Sequence, residues 1–314
     1  MKYVLKKLLA MTATLVAVSF LVFLAFSLIP GDPAVSMLGT QATPERLTAL
    51  REQLGLNDPV ILRYLKWLFD FIRGNMGTSY SYSLPVTQMI LEKIPITLTL
   101  SLMAFLFMLL TSIPLGIYTA KHKDGKVDRV IYIINQILMS VPSFFMGILL
   151  TFLFGLVFRL FTPGGYVSYT VSLSGFLGYL IIPAIAIGLP KSAMAVKLLR
   201  SSVAQQRKLD YTRTAFSRGN SINGVLYHHI LKNALIPVIT FWGMAFADMV
   251  AGSIIIEQVF SIPGLGRILL TSISNRDYPV VEAIILLIAF VVIAANFIVD
   301  IVYRLVDPRI SKTS

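Results

Sequence analysis

The chain has 314 residues, of which 56% are hydrophobic and 13% charged, with a mean hydropathy of +0.78, far too apolar for a soluble domain, in which charged residues approach ~25%. Its net charge of +12 lies mostly in short segments between apolar runs, so membrane topology explains it and no nucleic-acid partner is expected. Cysteine is absent and the three histidines form no HExxH, which excludes disulfide and thiolate chemistry and argues against a metalloenzyme.

Lys2, Lys6 and Lys7 precede an uncharged run, Leu8–Ile29, long enough to cross a bilayer core, which takes about 20 helical residues. The length of this run and the lack of an A-x-A site after it favour a first span over a signal peptide, with the N-terminus inside. Pro30-Gly31-Asp32-Pro33 stops that helix. Residues 34–93 form the only sizeable extramembrane region. Within it, Thr43-Pro44-Glu45 reads as a helix start with Thr43 as cap, running to about Leu54 and ended by Gly55-Leu56-Asn57-Asp58-Pro59. Ile61, Tyr64, Leu65, Leu68, Phe69 and Ile72 recur at helical spacing, so residues 60–72 form an amphipathic helix, with Tyr64 and Trp67 suited to the headgroup zone. Gly74-Asn75-Met76-Gly77-Thr78-Ser79 is a loop and not a phosphate cradle, because no GK[ST] follows it.

Ile94–Ala120 is the second span, with Pro114 and Gly116 placed to bend its inner end. The basic loop Lys121–Lys126 is cytoplasmic. Val130–Phe158 is the third span, with Pro142 near its middle and a small-residue face of Gly147, Thr151 and Gly155 for close helix contact. A short outer loop follows from Arg159 to Ser174. The fourth span covers about Phe176–Lys197, with Pro183 and Pro190 inside it. Lys191 and Lys197 can snorkel toward inner water, and Arg200-Ser201-Ser202 continues into the cytosol.

Leu209–Pro237 is the longest strongly polar run in the second half. With the preceding Arg207 and Lys208 it carries Arg213, Arg218 and Lys232 against Asp210 as the only acid. It divides into two helical halves at Gly219–Asn220, with a second weak point at Asn223–Gly224. Hanging between spans, it lies in water, and its charge puts it in the cytoplasm. His228 and His229 are adjacent and point about 100° apart on a helix, too far to share an ion easily.

Asn233–Phe260 is the fifth span, with small residues at Gly243, Ala247 and Ala251. Ser261–Arg267 breaks it, and Ile268–Ile273 is too short to cross, so an interfacial or re-entrant segment is expected there. Val281–Tyr303 is the sixth span. Arg304, Arg309 and Lys312 hold the C-terminus inside. Three acids lie within spans, where charge costs roughly 2.5–3.5 kcal/mol and marks function by default. Asp300 can pair with Arg304 at i,i+4. Glu257 lies near the outer end of the fifth span. Asp248, near its middle, needs water, a partner or a cation.

The spacing D-Y-x-R-T-A-x-x-x-G then H-x-x-x-N-A-x-x-P, carried by Asp210, Tyr211, Arg213, Thr214, Ala215, Gly219, His229, Asn233, Ala234 and Pro237, resembles the EAA loop of ABC-importer permeases, in the form used by the oligopeptide, dipeptide and nickel branch. The general signature starts Glu-Ala-Ala; Arg213 and Thr214 stand at its first two positions, a departure usual in that branch. GLNDP, GxxGTS, Glu257–Arg267 and Arg276–Val280 are similar to further pieces of the family, so the resemblance covers nearly the whole chain.

The resemblance implies an all-α integral membrane protein with six transmembrane helices, of the type I ABC importer permease architecture with a cytoplasmic coupling helix. Residues 1–30 would be an N-terminal span, 31–93 an extracytoplasmic region with amphipathic helices, and 94–314 a five-helix core bearing the coupling loop 200–236. It implies a bacterial or archaeal inner-membrane subunit with both termini cytoplasmic, lining half of a pathway for di- or oligopeptides or chelated nickel. The partners implied are a second, homologous permease, two ATP-binding subunits and an extracytoplasmic substrate-binding protein. The chain itself catalyses no covalent chemistry: it lacks G-x-x-x-x-G-K-[ST], so ATP and Mg²⁺ belong to the partners and no cofactor to this chain. Asp210, Tyr211, Arg213, Thr214, Ala215, Gly219, His229 and Asn233 are the expected coupling residues, Asp248 and Glu257 the expected pathway residues. The family's peptide branch often has an uncharged residue at the place of Asp248 and the nickel branch an acid, which makes Asp248 the candidate metal contact; a buried structural hydrogen bond is the competing role. The alternative class is an ion-coupled secondary carrier or channel using Asp248 and Glu257 as its relay, although no inverted repeat supports it.

Overall fold

The computed structural model describes residues 2–29, 33–38, 42–53 and 55–306. The expected stop at Pro30-Gly31-Asp32, the end of the second helix at Leu54, and Arg309 and Lys312 lie outside these residues. The described residues are helical apart from loops and one isolated bridge between Thr78 and Pro85. In order the helices are α1 (Lys2–Leu28), α2 (Pro33–Leu38), α3 (Pro44–Gln53), α4 (Val60–Ile72), α5 (Val86–Leu91), α6 (Ile94–Lys121), α7 (Lys126–Ser140) and α8 (Ser143–Leu150). A π-helical run, Thr151–Val157, extends α8. There follow α9 (Leu173–Gln206), α10 (Asp210–Ser217), α11 (Ile222–Gly224), a second π-helical run Val225–Ile230, α12 (Leu231–Ala234), α13 (Ile236–Val259), α14 (Leu265–Ser274) and α15 (Tyr278–Val306).

Five of these are long and apolar enough to cross a membrane: α1, α6 together with α5, α9, α13 and α15. The expected third span is two helices bent by 105° between Ser140 and Ser143. Pro142 cannot donate to a helix and drives the residue before it out of helical geometry; Val141 accordingly sits at φ −94°, ψ 120°. A sixth crossing exists only if this bent pair is one broken span. Pro114, Pro183 and Pro190, by contrast, lie inside unbroken helices.

The chain forms two compact units. One comprises residues 1–97 and 263–293, the other 98–262 and 294–314. These units follow contacts and are a different property from the division by membrane side. In the first, α4 packs on α1 through a ring cluster: Phe20 meets Tyr64 edge-on at 5.1 Å, and Phe23 touches both Tyr64 and Trp67. Tyr64 Oη and Ser19 Oγ share a 2.8 Å hydrogen bond. Of the expected apolar stripe on α4, Tyr64 is buried while Ile61, Leu65, Phe69 and Ile72 are exposed. In the same unit Asp277 is buried at the head of α15. It accepts hydrogen bonds from Ser79 Oγ, from Tyr80 N at 2.9 Å and from Ser81 N at 3.3 Å, pinning the loop after Gly77. Burial, and after it the neighbouring carboxylates, hold the Tyr80 phenol well above its ordinary value.

In the second unit α9 packs against α7, α8 and α13. Glycines set other close approaches in this unit. A Cβ at Gly188 would stand 2.7 Å from the main-chain oxygen of Ala104 on α6. A Cβ at Gly147 would stand 3.1 Å from Phe260, so the first member of the Gly147, Thr151, Gly155 face does meet a helix, whereas Gly155 faces Pro163 of its own following loop. On α13, a Cβ at Gly243 would strike Val299, Ala247 is buried, and Ala251 is exposed, so only part of that expected face is a packing seam.

Candidate functional site

The polar segment between α9 and α13 is not a free loop. Beneath it lies a core of Ala120 from the end of α6, Leu199 and Val203 from α9, Ala215 from α10, Val225, Leu226 and Ile230 from the π-helical run, Ala234 from α12 and Val238 from α13. Burying each Val, Leu or Ile contributes about 1.5–3 kcal/mol. The segment therefore stands as a braced elbow on the ends of α6 and α9, where the sequence suggested one hanging in water.

Local hydrogen bonds fix the elbow. Thr212 is fully buried and its Oγ1 donates to Gln206 O at 2.9 Å, while Tyr211 Oη donates to Gln206 Oε1 at 2.8 Å. Gly219 takes φ +81°, the left-handed geometry that ends α10. Asn220 Nδ2 then caps back onto Ala215 O at 2.9 Å, and Ser221 Oγ accepts from Gly224 N at 3.2 Å to start the next helix. The expected break at Asn223–Gly224 is absent: helix continues there as α11 and the π-helical run, because the Ser221 cap turns that pair into a first turn.

The expected coupling residues divide into two sets. Asp210, Arg213, Thr214, Gly219 and His229 are exposed; Asp210 and Arg213 form a 3.7 Å ion pair on the outer face of α10. Tyr211 and Asn233 are half-buried, and Ala215 is part of the core. Leu209, Phe216, Ile222 and Tyr227, which sequence reasoning passed over, are large apolar side chains exposed along the same segment. Thr212 was missed as well, and Asn220 was read only as part of the break at Gly219–Asn220 and not as the side chain that caps α10.

Within the spans, Asp248 and Glu257 are not brought together. Nine residues apart at 100° each, they point to opposite sides of α13: the Asp248 side chain is 62% exposed and Glu257 is 0% exposed. Asp248 has a partner, Lys191 of α9, whose Nζ donates to Asp248 Oδ2 at 2.6 Å. Lys191 is thus engaged across two helices and not snorkelling, and Lys197 Nζ donates to Gln136 Oε1 at 3.1 Å. Among the described residues no set of three His, Cys, Asp or Glu is placed to hold a metal ion. The expected Asp300–Arg304 pair rests on an arginine whose side chain lies outside the described residues.

One ion pair escaped sequence reasoning entirely. Arg200 of α9 binds Asp128 of α7 through two bonds, Nε to Oδ1 at 2.7 Å and Nη2 to Oδ2 at 2.6 Å, and Asp124 N donates to Asp128 Oδ2 at 2.9 Å. This fork geometry suits guanidinium and carboxylate, and it ties the C-terminal part of α9 to the first turn of α7.

The family model described as "Binding-protein-dependent transport system inner membrane component" matches residues 112–312, and its N-terminal companion matches residues 1–101. The chain is 34% identical over 308 residues to the Sinorhizobium fredii protein named "Probable peptide ABC transporter permease protein y4tP", covering 98% of each. It is 34% identical over 311 residues to the oligopeptide transport system permease AppB of Bacillus subtilis, again covering 98% of each. It is 33% identical over 312 residues to the nickel import system permease NikB of Staphylococcus aureus, covering 98% of this chain and 91% of that one.

Proposed function

The chain belongs to the family of binding-protein-dependent inner membrane components, the permeases of ABC importers, and from that premise we propose that its braced elbow, residues 200–236, couples the spans to ATP hydrolysis in separate subunits. It is a multi-pass inner-membrane transport subunit, and the ion-coupled carrier reading is not favoured. ATP and Mg²⁺ would sit in two ATP-binding subunits, a second permease would complete the pathway, and a binding protein would deliver substrate from outside. Both termini would be cytoplasmic.

The observation that carries the coupling role is that one segment combines an exposed docking face with a fully buried underside. Asp210, Arg213, Phe216 and Ile222 face outward, while Thr212, Ala215, Val225 and Ile230 lock into α6 and α9. A push on the outward face therefore moves the helix ends beneath it as one body, the shear motion by which packed helices switch state. Relatives named for oligopeptide and for nickel transport leave di- or oligopeptides and chelated nickel as the substrate classes, with peptides the larger group among the names given.

Copurification tests this. Phe216→Glu puts a charge at the centre of the outward face. It is expected to abolish copurification of the ATP-binding subunits and import together, with membrane insertion unchanged. Undiminished copurification and import in that variant would overturn the coupling role.

A further inference from the structure

Lys191 and Asp248 form an ion pair at span depth that is largely uncovered in the chain. Asp248 lies midway along α13, and the residues that share its exposed stripe, Met244, Ala251, Ile255 and Gln258, recur at three- and four-residue spacing. Met194, one turn from Lys191 on α9, is exposed as well. A Cβ at Gly252 would meet nothing within 4 Å, so the space next to Asp248 is open. The two side chains are 34% and 62% exposed although paired at 2.6 Å. Facing hydrocarbon, charges at this depth cost roughly 2.5–3.5 kcal/mol each. The stripe therefore faces the pathway that a second permease would complete, and its methionines give an adaptable apolar lining.

We propose that this pair is a substrate site for zwitterionic peptides, Asp248 receiving the α-ammonium group and Lys191 the α-carboxylate. The proposal rests on the permease reading and deepens it by naming the substrate class. Its logic is exchange. A free peptide that parts the pair replaces both lost contacts, so neither side chain is left uncompensated at span depth. The termini of an extended dipeptide are about 7 Å apart, a gap that the four-carbon stem of Lys191 can open by swinging from Asp248. A divalent cation would satisfy Asp248 and meet the like charge of Lys191. A peptide blocked at one end would leave one of the two charges unpaired.

The test uses the whole complex in proteoliposomes with its own binding protein. The probe is a labelled pool of dipeptides, the same pool N-acetylated or C-amidated, and Ni²⁺–histidine. Wild type is expected to import the free pool faster than either blocked pool. Asp248→Asn is expected to cut free-peptide import about tenfold and to erase the preference over the acetylated pool, the scale of losing one hydrogen bond to a charged group. Lys191→Met should do the same for the amidated pool. Because the binding protein is common to all samples, a changed ratio reports on the permease. The double variant Lys191→Met with Asp248→Asn guards against simple misfolding: a structural pair would be replaced without harm, and wild-type import with wild-type ratios in that variant overturns the proposal. Ni²⁺–histidine import by wild type without peptide import overturns it too. Failure of the underlying permease reading looks different, as import in wild type that needs no ATP and no copurifying ATP-binding subunit.

Discussion

Gly219 and Gly188 both lack a side chain for reasons that separate cleanly. At Gly219 a Cβ would meet nothing within 4 Å, yet φ is +81°, so the cost of substitution is backbone strain alone, about 1–2 kcal/mol for most residues and less for Asn. Gly219→Asn is expected to keep import, whereas Gly219→Val should lower import severalfold with insertion intact; vesicle uptake and membrane yield decide it. Equal import by both variants would mean that the turn geometry is not transmitting anything. At Gly188 the backbone is ordinary helix and the obstacle is the main-chain oxygen of Ala104, which cannot step aside. Gly188→Ala is expected to lower the melting temperature of the detergent-purified protein by several degrees, as a change of 1–2 kcal/mol does. Gly178→Ala, with open space around it, is the neutral control.

The helices carry the next level of information, and the Arg200–Asp128 fork shows why some of it was unreadable. Both residues sit at helix ends seventy-two positions apart, and no local pattern links an arginine in one basic stretch with an acid in another. Removing one partner leaves a buried charge, a loss of about 3–5 kcal/mol, and Arg200→Lys cannot restore two parallel bonds. Arg200→Met is therefore expected to destabilise the detergent-purified protein, Arg200→Lys to recover only part of the loss, and the double change Asp128→Leu with Arg200→Met to recover more, all read by thermal unfolding; a melting temperature unchanged in Arg200→Met would deny the fork a holding role. The same distinction explains what the sequence yielded. α4 matched its expected bounds, Val60–Ile72, because periodicity and Pro59 are local signals. The polar elbow and its glycine turn were legible for the same reason. The 105° bend at Pro142 was half legible: the residue marks the place, while the size of the bend depends on partners along α9. The Lys191–Asp248 contact and the Asp277 clasp on Ser79, Tyr80 and Ser81 join distant stretches, so sequence could name their members and not their pairing.

At the scale of the whole chain, sidedness is predicted from where positive charge collects. Lys121, Lys123, Lys126 and Arg129, then Arg207, Lys208, Arg213 and Arg218, crowd the ends of α6, α7, α9 and α10, whereas the loop between Arg159 and Ser172 has a single basic residue. Short basic loops stay on the cytoplasmic side because moving each charge across is disfavoured during insertion. The two ends of α9 must then open on opposite sides. The chain contains no cysteine, so single cysteines report this without a background. Ser217→Cys, exposed at the end of α10, and Thr170→Cys, exposed in the loop before α9, are expected to behave oppositely toward a membrane-impermeant maleimide. In right-side-out vesicles Thr170→Cys should label and Ser217→Cys should not; in inverted vesicles the pattern should reverse. Labelling of Ser217→Cys from outside would detach the elbow from any cytoplasmic ATP-binding subunit, and with it every coupling prediction made for Phe216 and Gly219.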